Sequence, residues 1–361
     1  MKNLQVSVTE KPQSYPLYMG RGLFPLLAQH LSEKPLASRY AVITDSTVDA
    51  LWAPQLLAAL AERGLTAQKF VMPAGETYKT RETKQTLENQ MLGAGLGRDT
   101  AVLALGGGVV GDVAGFVAAT YMRGVPVIQI PTTTLAMADS SVGGKTGVDT
   151  PYGKNLIGAF HQPVAVYMDM DTLQTLDEKN YRAGLAEVAK HGLIQDITIV
   201  SRIEENLDLI LRREPQVLEE LLALSCQVKS RVVAEDDQER GLRQILNYGH
   251  TMGHAVEMLS HFDMIHGECV AVGMVYAAKL ALRLGLCDRA WADRQRNVLE
   301  MLGLPVRIPE FMEPQEVIHL MKMDKKARDG QIRFVLSLEP GRVQYGVPVA
   351  DEEIISCMKE R

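Results

Sequence analysis

The sequence predicts an α/β domain with a parallel sheet over residues 1–180, followed by a mostly helical domain over residues 181–361. Short apolar runs alternate with helix-like patterns in the first half, whereas long amphipathic patterns dominate after about residue 175. The 361 residues of the chain are also enough for two separate hydrophobic cores. We therefore expect a domain boundary between residues 175 and 182.

The strand-like segments in the first half are short, apolar and rich in β-branched residues. They cover Tyr40–Thr44, Thr100–Leu105 and Val125–Ile130, and a helical pattern at residues 51–64 follows the first of them. Continuous apolar runs are typical of strands that are buried on both faces of a sheet. Their alternation with helices predicts a parallel sheet that helices cover on both sides.

The second half contains a long helical pattern with one apolar face. Apolar residues recur there at spacings of 4, 3, 4 and 4, at Val217, Leu221, Leu224, Val228 and Val232. Pro215 precedes them and suits the first turn of a helix. In this half, only residues 331–338 have the composition of a strand.

Composition and charge argue against several classes of protein. The formal net charge of −6 disfavours nucleic acid or an anionic membrane as the main partner. Four cysteines lie far apart without a C-x-x-C pair, which favours a reducing compartment over a disulfide framework. No secretory leader is recognised, and charged residues such as Asp112 and Lys279 interrupt the long apolar stretches. We expect a cytoplasmic protein that neither spans nor binds a membrane.

A glycine-rich loop follows the second predicted strand. Gly106, Gly108 and Gly111 satisfy the pattern G-x-G-x-x-G, and an apolar helical pattern follows at residues 113–119. Between a strand and a helix, such glycines let the backbone approach a pyrophosphate, and the helix N-terminus supplies amide donors. The alternative is a tight turn that binds no ligand.

The acid that a simple dinucleotide-binding fold places at the end of its next strand is absent. Residues 125–130 run into Pro131 and three threonines instead. Asp45, which ends the first predicted strand, is the better candidate for binding ribose hydroxyls. It is an equally good candidate for the N-cap of the following helix. We therefore do not expect the strand order of an ordinary Rossmann fold.

Residues 139–155 form a polar segment that is too rich in glycine for a helix and too polar for a core strand. Lys145 and Lys154, flanked by small residues, suit contacts with phosphate oxygens, and Asn155 adds hydrogen-bonding capacity. A solvated loop is the alternative. The P-loop pattern fails because Asp139 occupies the position of its first glycine, which disfavours a nucleoside triphosphate.

Histidines and a glutamate in the second half suggest a metal centre. A predicted helix at residues 181–194 carries Glu187 and Lys190 one turn apart, and His250, His254 and His266 lie within seventeen residues. Two histidines and a carboxylate leave one position open on a catalytic zinc ion. Helix caps or core packing are the alternatives for each histidine. Spacing favours the i,i+4 pair of His250 and His254 but does not decide which two bind.

These segments together resemble the dehydroquinate synthase family over nearly the whole chain. The stretches that carry the resemblance are GETYK at 75–79, GGGVVGD at 106–112, YMRG at 121–124, PTTTLAMADSSVGGKT at 131–146, GKNLIGAF at 153–160, LAEVAKHG at 185–192, ERGLRQILNYGHTMGHAVE at 239–257, HGE at 266–268 and DKK at 324–326. Each stretch is a moderate signal, whereas their order and spacing together are highly specific.

The resemblance implies a homodimer in which a Rossmann-like NAD-binding domain precedes a helical metal-binding domain, with the active site between them. It implies zinc or cobalt ligands at Glu187, His250 and His266, and it places His254 beside the substrate. The implied NAD contacts are Asp45, Glu76, Lys79, Gly107, Gly108, Asp112, Thr132, Thr133, Lys154, Thr172 and Thr175. The implied catalytic residues are Asp139, Lys145, Lys190, Lys229, Glu239 and His254. The implied substrate-binding residues are Arg123 (from the neighbouring subunit), Asn155, Arg243, Asn247 and Lys325.

The activity implied by the resemblance belongs to the shikimate pathway of aromatic amino-acid biosynthesis. Its substrate is a sugar-acid phosphate, 3-deoxy-D-arabino-heptulosonate 7-phosphate. NAD⁺ oxidises the substrate transiently, phosphate leaves by β-elimination, and hydride returns. Ring opening and an aldol step then close the carbocycle, so NAD⁺ is regenerated in each turnover.

Three other functions remain open at this stage: another sugar phosphate cyclase, a metal-dependent polyol dehydrogenase, and a non-enzymatic NAD-binding regulator. The sequence departs from the family at Ala189, where a bulky apolar residue is frequent, at His191, where tyrosine is frequent, and at His161, where an aromatic residue is common. None of these departures removes a catalytic group.

Overall fold

The computed structural model describes residues 14–236, 241–261, 263–323 and 331–360. Its strands are β1 (Leu17–Gly20), β2 (Arg39–Asp45), β3 (Ala67–Met72), β4 (Thr100–Gly106), β5 (Val127–Pro131), β6 (Lys145–Thr150), β7 (Gly153–Phe160), β8 (Ala165–Asp169), β9 (Arg333–Glu339) and β10 (Arg342–Pro348).

The helices divide between the two halves of the chain. They are α1 (Leu23–Glu33), α2 (Ser46–Leu51), α3 (Ala53–Glu62), α4 (Arg81–Gly93), α5 (Gly108–Thr120), α6 (Glu178–Ile194), α7 (Ile197–Glu205), α8 (Leu207–Leu211), α9 (Pro215–Glu235), α10 (His250–Leu259), α11 (His266–Arg283), α12 (Arg289–Met301), α13 (Pro314–Met323) and α14 (Asp351–Lys359). No helix among the described residues is long and apolar enough to cross a membrane.

The first half is built on a six-stranded parallel sheet with the order β1-β8-β5-β4-β2-β3. The central strand β4 is buried along its whole length, which explains its uninterrupted apolar sequence. The parallel sheet followed by a mainly helical half confirms the predicted fold class. Strands β1, β3 and β8 were not predicted, because their sequences are short or carry polar residues.

The strand order places the glycine loop at a switch point of the sheet. The chain goes from β2 outward to β3 and then returns to β4 on the other side of β2. Thr44 of β2 lies opposite Leu105 of β4, so Asp45 and Gly106 follow at neighbouring positions on the carboxyl edge. Ligands of open α/β sheets bind in the crevice at such a point.

Close contacts between glycines and backbone hold α6, α10 and α11 together in the second half. A Cβ atom added at Gly267 of α11 would collide with the carbonyl oxygen of Ala183 in α6. One added at Gly253 of α10 would lie 2.9 Å from the carbonyl oxygen of Cys269 in α11. Only glycine permits this spacing, and it brings the histidine-bearing ends of α10 and α11 next to α6.

Residues 145–160 form an antiparallel hairpin of β6 and β7, not the loop that their polarity suggested. Glycines explain the difference, because a Cβ atom at Gly158 would collide with the carbonyl oxygen of Thr146 across the hairpin. The helix expected at residues 51–64 is interrupted at Trp52 and forms α2 and α3. Strand β10, which pairs with β9, was not predicted either.

Candidate active site

Glu187, His250 and His266 come together between α6, α10 and α11. The Nε2 atoms of His250 and His266 lie 3.8 and 3.7 Å from Oε1 of Glu187. One ligand atom from each of the three residues lies within 4.8 Å of the other two. The carboxylate of Glu187 is completely buried, so this is a compact donor set in an enclosed place.

The orientation of both imidazoles fits a cation in this set. Nδ1 of His250 lies 3.2 Å from the carbonyl oxygen of Tyr248, and Nδ1 of His266 lies 3.3 Å from Oε2 of Glu257. Both partners accept hydrogen bonds, so each neutral imidazole carries its hydrogen on Nδ1 and turns its Nε2 lone pair towards Glu187. Oε1 of Glu187 has no hydrogen-bond partner among the described residues. A buried carboxylate oxygen without a donor, next to two imidazole nitrogens, fits a metal ion.

His254 lies beside this cluster without joining it. Its ring centroid is 5.4 Å from that of His250 and 6.0 Å from that of His266. The i,i+4 spacing therefore puts His250 and His254 on one face, as predicted, but the triad of ligand atoms within 4.8 Å contains His266 instead of His254.

A second group of possible ligands, Asp139, Glu187 and His191, also satisfies the distance criterion. Two ammonium groups already neutralise it. Lys190 bonds to Glu187, and Nζ of Lys229 lies 2.6 Å from Oδ1 of Asp139. Lys190 contacts Glu187 in either group, whereas the ammonium group of Lys229 at Asp139 is particular to the second one. The second group is therefore the weaker candidate for a metal and suits the binding and transfer of protons.

Burial and charge shift the titration of the groups around Asp139. Burial would raise the pKa of Asp139, but the charges of Lys229 and Lys190 hold it well below its usual value. Burial lowers the pKa of Lys229 against the attraction of Asp139. Burial and the charge of Lys190 lower the pKa of His191 far below its usual value, so His191 is neutral. Its Nδ1 lies 2.7 Å from Oγ of Ser225.

Lys79, Asp112 and Asn155 form a polar cluster below the glycine loop. Nζ of Lys79 lies 2.6 Å from Oδ2 of Asp112 and donates to Oδ1 of Asn155 at 2.6 Å. The backbone amide of Asn155 donates to Asp149 at 2.8 Å, which fixes the start of β7. Burial alone would lower the pKa of Lys79, but the charges of Asp112 and Glu76 raise it.

The glycine loop itself lies against the segment that follows β5. A Cβ atom at Gly107 would lie 3.0 Å from Cγ2 of Thr133, and one at Gly108 would lie 3.0 Å from Oγ of Ser140. Oγ1 of Thr132 is buried and has no hydrogen-bond partner among the described residues. Helix α5 begins at Gly108, so its first backbone amides lie next to this segment and provide the donors that a pyrophosphate needs.

Asp45 and two threonines line the carboxyl edge of the sheet nearby. Oδ1 of Asp45 accepts from the backbone amides of Thr47 and Val48 at 2.8 and 2.9 Å, so Asp45 is the N-cap of α2. Oγ1 of Thr175 accepts from Nε1 of Trp52 at 2.8 Å. Thr172 donates from Oγ1 to the carbonyl oxygen of Asp169 at 2.7 Å. The N-cap alternative for Asp45 is thus realised, and ribose binding by Asp45 stays a prediction.

Glu257 is a residue of this site that sequence reasoning missed. Its Oε1 lies 2.7 Å from Nζ of Lys154, which in turn lies 3.0 Å from Oε1 of Glu76. Burial would raise the pKa of Glu257, but the hydrogen bond from His266 and the charge of Lys154 lower it to about 2. The signal in the sequence was its spacing of seven residues from His250, which repeats a helix face.

The remaining predicted residues lie at different distances from the cluster. Arg243 is buried in the 3₁₀ turn Leu242–Asn247, and its Nη2 donates to the carbonyl oxygen of Gly143 at 3.3 Å. Lys145 is exposed at the start of β6. Arg123 is exposed beyond the far end of α5, about 20 Å along the helix from the glycine loop. Glu239 and Lys325 lie outside the described residues.

The fold and the site define a class: α/β enzymes with a candidate metal centre on helices beside a glycine loop of the nucleotide-binding type. Two family models match the chain in succession, 3-dehydroquinate synthase N-terminal over residues 69–183 and 3-dehydroquinate synthase C-terminal over residues 184–327. The chain belongs to the 3-dehydroquinate synthase family, and the resemblance found in the sequence is confirmed. It is therefore an enzyme of this family.

Known relatives agree with the family assignment. The 3-dehydroquinate synthase of Symbiobacterium thermophilum is 45% identical over 347 residues, which are 95% of this chain and 96% of that protein. A solved 2-epi-5-epi-valiolone synthase from Streptomyces hygroscopicus subsp. jinggangensis, with NAD⁺ and Zn²⁺ bound, has a TM-score of 0.90 and 30% identity over 98% of both chains.

A second solved structure is 2-deoxy-scyllo-inosose synthase complexed with carbaglucose-6-phosphate, NAD⁺ and Co²⁺. It has a TM-score of 0.87 and 29% identity, and the match covers 95% of this chain and 96% of that one. These two neighbours are synthases that share the architecture, and each holds NAD⁺ together with a divalent metal.

Proposed function

We propose that this chain converts 3-deoxy-D-arabino-heptulosonate 7-phosphate to 3-dehydroquinate and phosphate, with NAD⁺ and a zinc or cobalt ion as cofactors. The observation that carries the proposal is the buried Oε1 of Glu187 facing the Nε2 atoms of His250 and His266, next to a glycine loop. The family assignment supports the choice of reaction.

Glu187, His250 and His266 are the proposed metal ligands. When bound, the metal would polarise substrate hydroxyls, and NAD⁺ would take up a hydride from the substrate and return it only after phosphate has left. The ketone that exists in between makes the neighbouring C–H acidic enough for the elimination. The protein contributes the arrangement of donors. The carbonyl of Tyr248 and the carboxylate of Glu257 fix the ring orientation of the two histidines before a cation arrives.

Cationic residues are proposed to hold the two anionic ends of the substrate. Lys145, Asn155 and Lys325 of one subunit, with Arg123 of the other subunit, would hold the phosphate. Arg243, with Asn247, would hold the carboxylate, and the burial of Arg243 supports this because a buried guanidinium binds an anion strongly. A carboxylate-binding arginine favours this substrate over sugar phosphates that carry no carboxylate.

Proton transfer is proposed for the groups that lie between the metal centre and the hairpin. Lys190 pairs with Glu187 and Lys229 pairs with Asp139, so each carboxylate lies beside an ammonium group with which a proton can be exchanged. His254, next to His250, and Glu239 are the proposed proton acceptors, each of which contributes on the order of 10²–10⁴ in rate when correctly placed.

The nucleotide is proposed to lie along the carboxyl edge of the sheet. The proposed contacts are Asp45, Glu76, Lys79, Gly107, Gly108, Asp112, Thr132, Thr133, Lys154, Thr172 and Thr175. The proposal includes a domain boundary near residue 180, a homodimer that brings Arg123 to the neighbouring site, and a cytoplasmic location. The exposed position of Arg123 at the far end of α5 supports its action outside its own subunit.

The decisive experiment follows phosphate and nucleotide together. Purified protein with zinc and NAD⁺ is given the heptulosonate phosphate, and phosphate release is measured beside absorbance at 340 nm. We expect phosphate in many-fold excess over enzyme, no net NADH, and loss of turnover when either cofactor is omitted. Stoichiometric accumulation of NADH would identify a dehydrogenase. If neither phosphate nor NADH forms, the substrate is a different sugar phosphate.

A further inference from the structure

We propose that Glu257 couples the metal centre to the nucleotide site, so that each ligand strengthens the binding of the other. Glu257 is buried, and its two carboxylate oxygens have different partners. Oε2 lies 3.3 Å from Nδ1 of His266, and Oε1 lies 2.7 Å from Nζ of Lys154. The inference rests on the proposed function, since that proposal assigns His266 to the metal and Lys154 to NAD⁺.

The contacts of Glu257 cross from one half of the molecule to the other. Lys154 belongs to β7 of the hairpin, Glu257 to α10 and His266 to the first turn of α11. Beyond Lys154, the chain of charges continues to Glu76, in the turn Glu76–Tyr78 that follows β3, at 3.0 Å. Beyond His266 it reaches Glu187 of α6 at 3.7 Å.

This series of charged side chains joins the two sites through alternating acceptors and donors. The hydrogen bond to Glu257 fixes the imidazole of His266 and directs its Nε2 towards Glu187. A cation at Nε2 makes the Nδ1–H group a stronger donor, which tightens its hold on Glu257. Because the carboxylate is rigid, a fixed Oε2 also fixes Oε1 and the ammonium group that it accepts from. Lys154 is then pre-positioned for an anionic ligand.

Thermodynamic linkage makes this coupling measurable and reciprocal. If metal tightens NAD⁺ binding by a given factor, NAD⁺ tightens metal binding by the same factor. We therefore measure four dissociation constants on the purified full chain. NAD⁺ is titrated into metal-free and zinc-loaded protein, and Zn²⁺ is titrated against a chelator without and with saturating NAD⁺.

In the wild type we expect zinc to tighten NAD⁺ binding about fivefold or more, and NAD⁺ to tighten zinc binding equally. The isosteric Glu257→Gln variant should bind zinc about 10- to 100-fold more weakly, as variants of a residue that orients a metal ligand do. In this variant, both coupling factors should fall towards one. A near-ultraviolet circular dichroism spectrum like that of the wild type establishes that the variant is folded.

Two further variants separate the Lys154–Glu257–His266 bridge from a general effect of charge. Glu268→Gln removes a carboxylate from the same first turn of α11, where it accepts from the backbone amide of Ile265 at 3.0 Å, and should keep the coupling. Lys154→Met cuts the bridge on its nucleotide side. It should reduce the coupling factor to about one. Its zinc affinity, measured without NAD⁺, should stay within severalfold of the wild-type value. This variant therefore tests the proposal even if Glu257→Gln binds no zinc.

The outcomes distinguish this inference from the proposed function. Wild-type protein that binds both ligands without coupling would overturn the inference alone, as would unchanged coupling in Glu257→Gln or in Lys154→Met. Loss of coupling in Glu268→Gln would also overturn it, because the effect would then follow charge and not the bridge. Wild-type protein that binds neither zinc nor NAD⁺ would overturn the proposed function itself.

Discussion

Two polar clusters of this molecule differ in how completely the protein supplies the hydrogen-bond partners of their charged groups. Lys79 has a carboxylate and an amide oxygen within 2.6 Å, and both come from the protein. Glu187, in contrast, faces two imidazole nitrogens with an oxygen that has no hydrogen-bond partner among the described residues. In the first cluster the protein supplies both partners of the ammonium group, whereas we propose that a cation supplies the missing partner in the second. Buried acceptors without donors are therefore the better guide to an absent ligand.

The largest effect that tests this contrast is expected at the metal cluster. Replacing His250 or His266 by alanine should abolish tight zinc binding and lower turnover about 10³-fold, since metal assistance is worth several kcal/mol. Zinc content after dialysis is measured by atomic emission.

His254→Ala is the matched control, because its ring lies next to that of His250 but outside the ligand triad. It should keep near-stoichiometric zinc and lose on the order of 10²–10⁴ in rate. If His254→Ala loses zinc while His266→Ala keeps it, the pair at i,i+4 binds the metal and the assignment above is wrong.

At the cluster of Lys79, Asp112 and Asn155, we expect substitutions to change the free energy of unfolding. Lys79→Met leaves the largely buried carboxylate of Asp112 without its cation and should lower the free energy of unfolding by about 3 kcal/mol, measured by urea denaturation of the metal-free protein. The second substitution Asp112→Asn should restore part of this loss. Lys69→Met, which breaks the exposed pair with Asp49, serves as control and should cost less than about 1 kcal/mol. Equal losses of unfolding free energy in Lys79→Met and Lys69→Met would show that the pair of Lys79 with Asp112 is no more stabilising than an exposed ion pair.

The smallest effect concerns the helix that carries Glu187. Asp177 is the N-cap of α6 and accepts from the backbone amide of Asn180 at 3.0 Å. Asp177→Ala should lower the free energy of unfolding by about 1 kcal/mol and leave zinc affinity unchanged.

The difference in unfolding free energy between the wild type and Asp177→Ala should depend on pH in one direction. Burial opposes the shift, but hydrogen bonds from Asn180 lower the pKa of Asp177 in the folded protein. The stabilisation is therefore complete above the unfolded-state pKa of about 3.9 and disappears as the pH falls through the lower, folded-state value. Urea denaturation of wild type and variant at a series of pH values checks this. A difference that does not shrink at acid pH would mean that the cap is not the cause.

Local patterns in the sequence determined the elements that need only local physics. The apolar run of Thr100–Leu105 is β4, the glycine loop follows it, and Pro215 begins α9 as expected. The order of the matching stretches was sufficient to identify the family. The roles of individual site residues, which rest on that resemblance, stay predictions that the geometry supports.

Local spacing could not decide which of these residues meet; the family resemblance pointed to His266, and the tertiary structure gives the physical reason. Spacing favoured His254 as the partner of His250. The contact of Gly267 with the backbone of Ala183 instead brings His266 to Glu187, across a sequence separation that no local pattern encodes. For the same reason Glu257 resembles an ordinary helix-surface glutamate in the sequence. Only the tertiary structure buries it between Lys154 of the hairpin and His266 of α11, where it joins the two halves of the site.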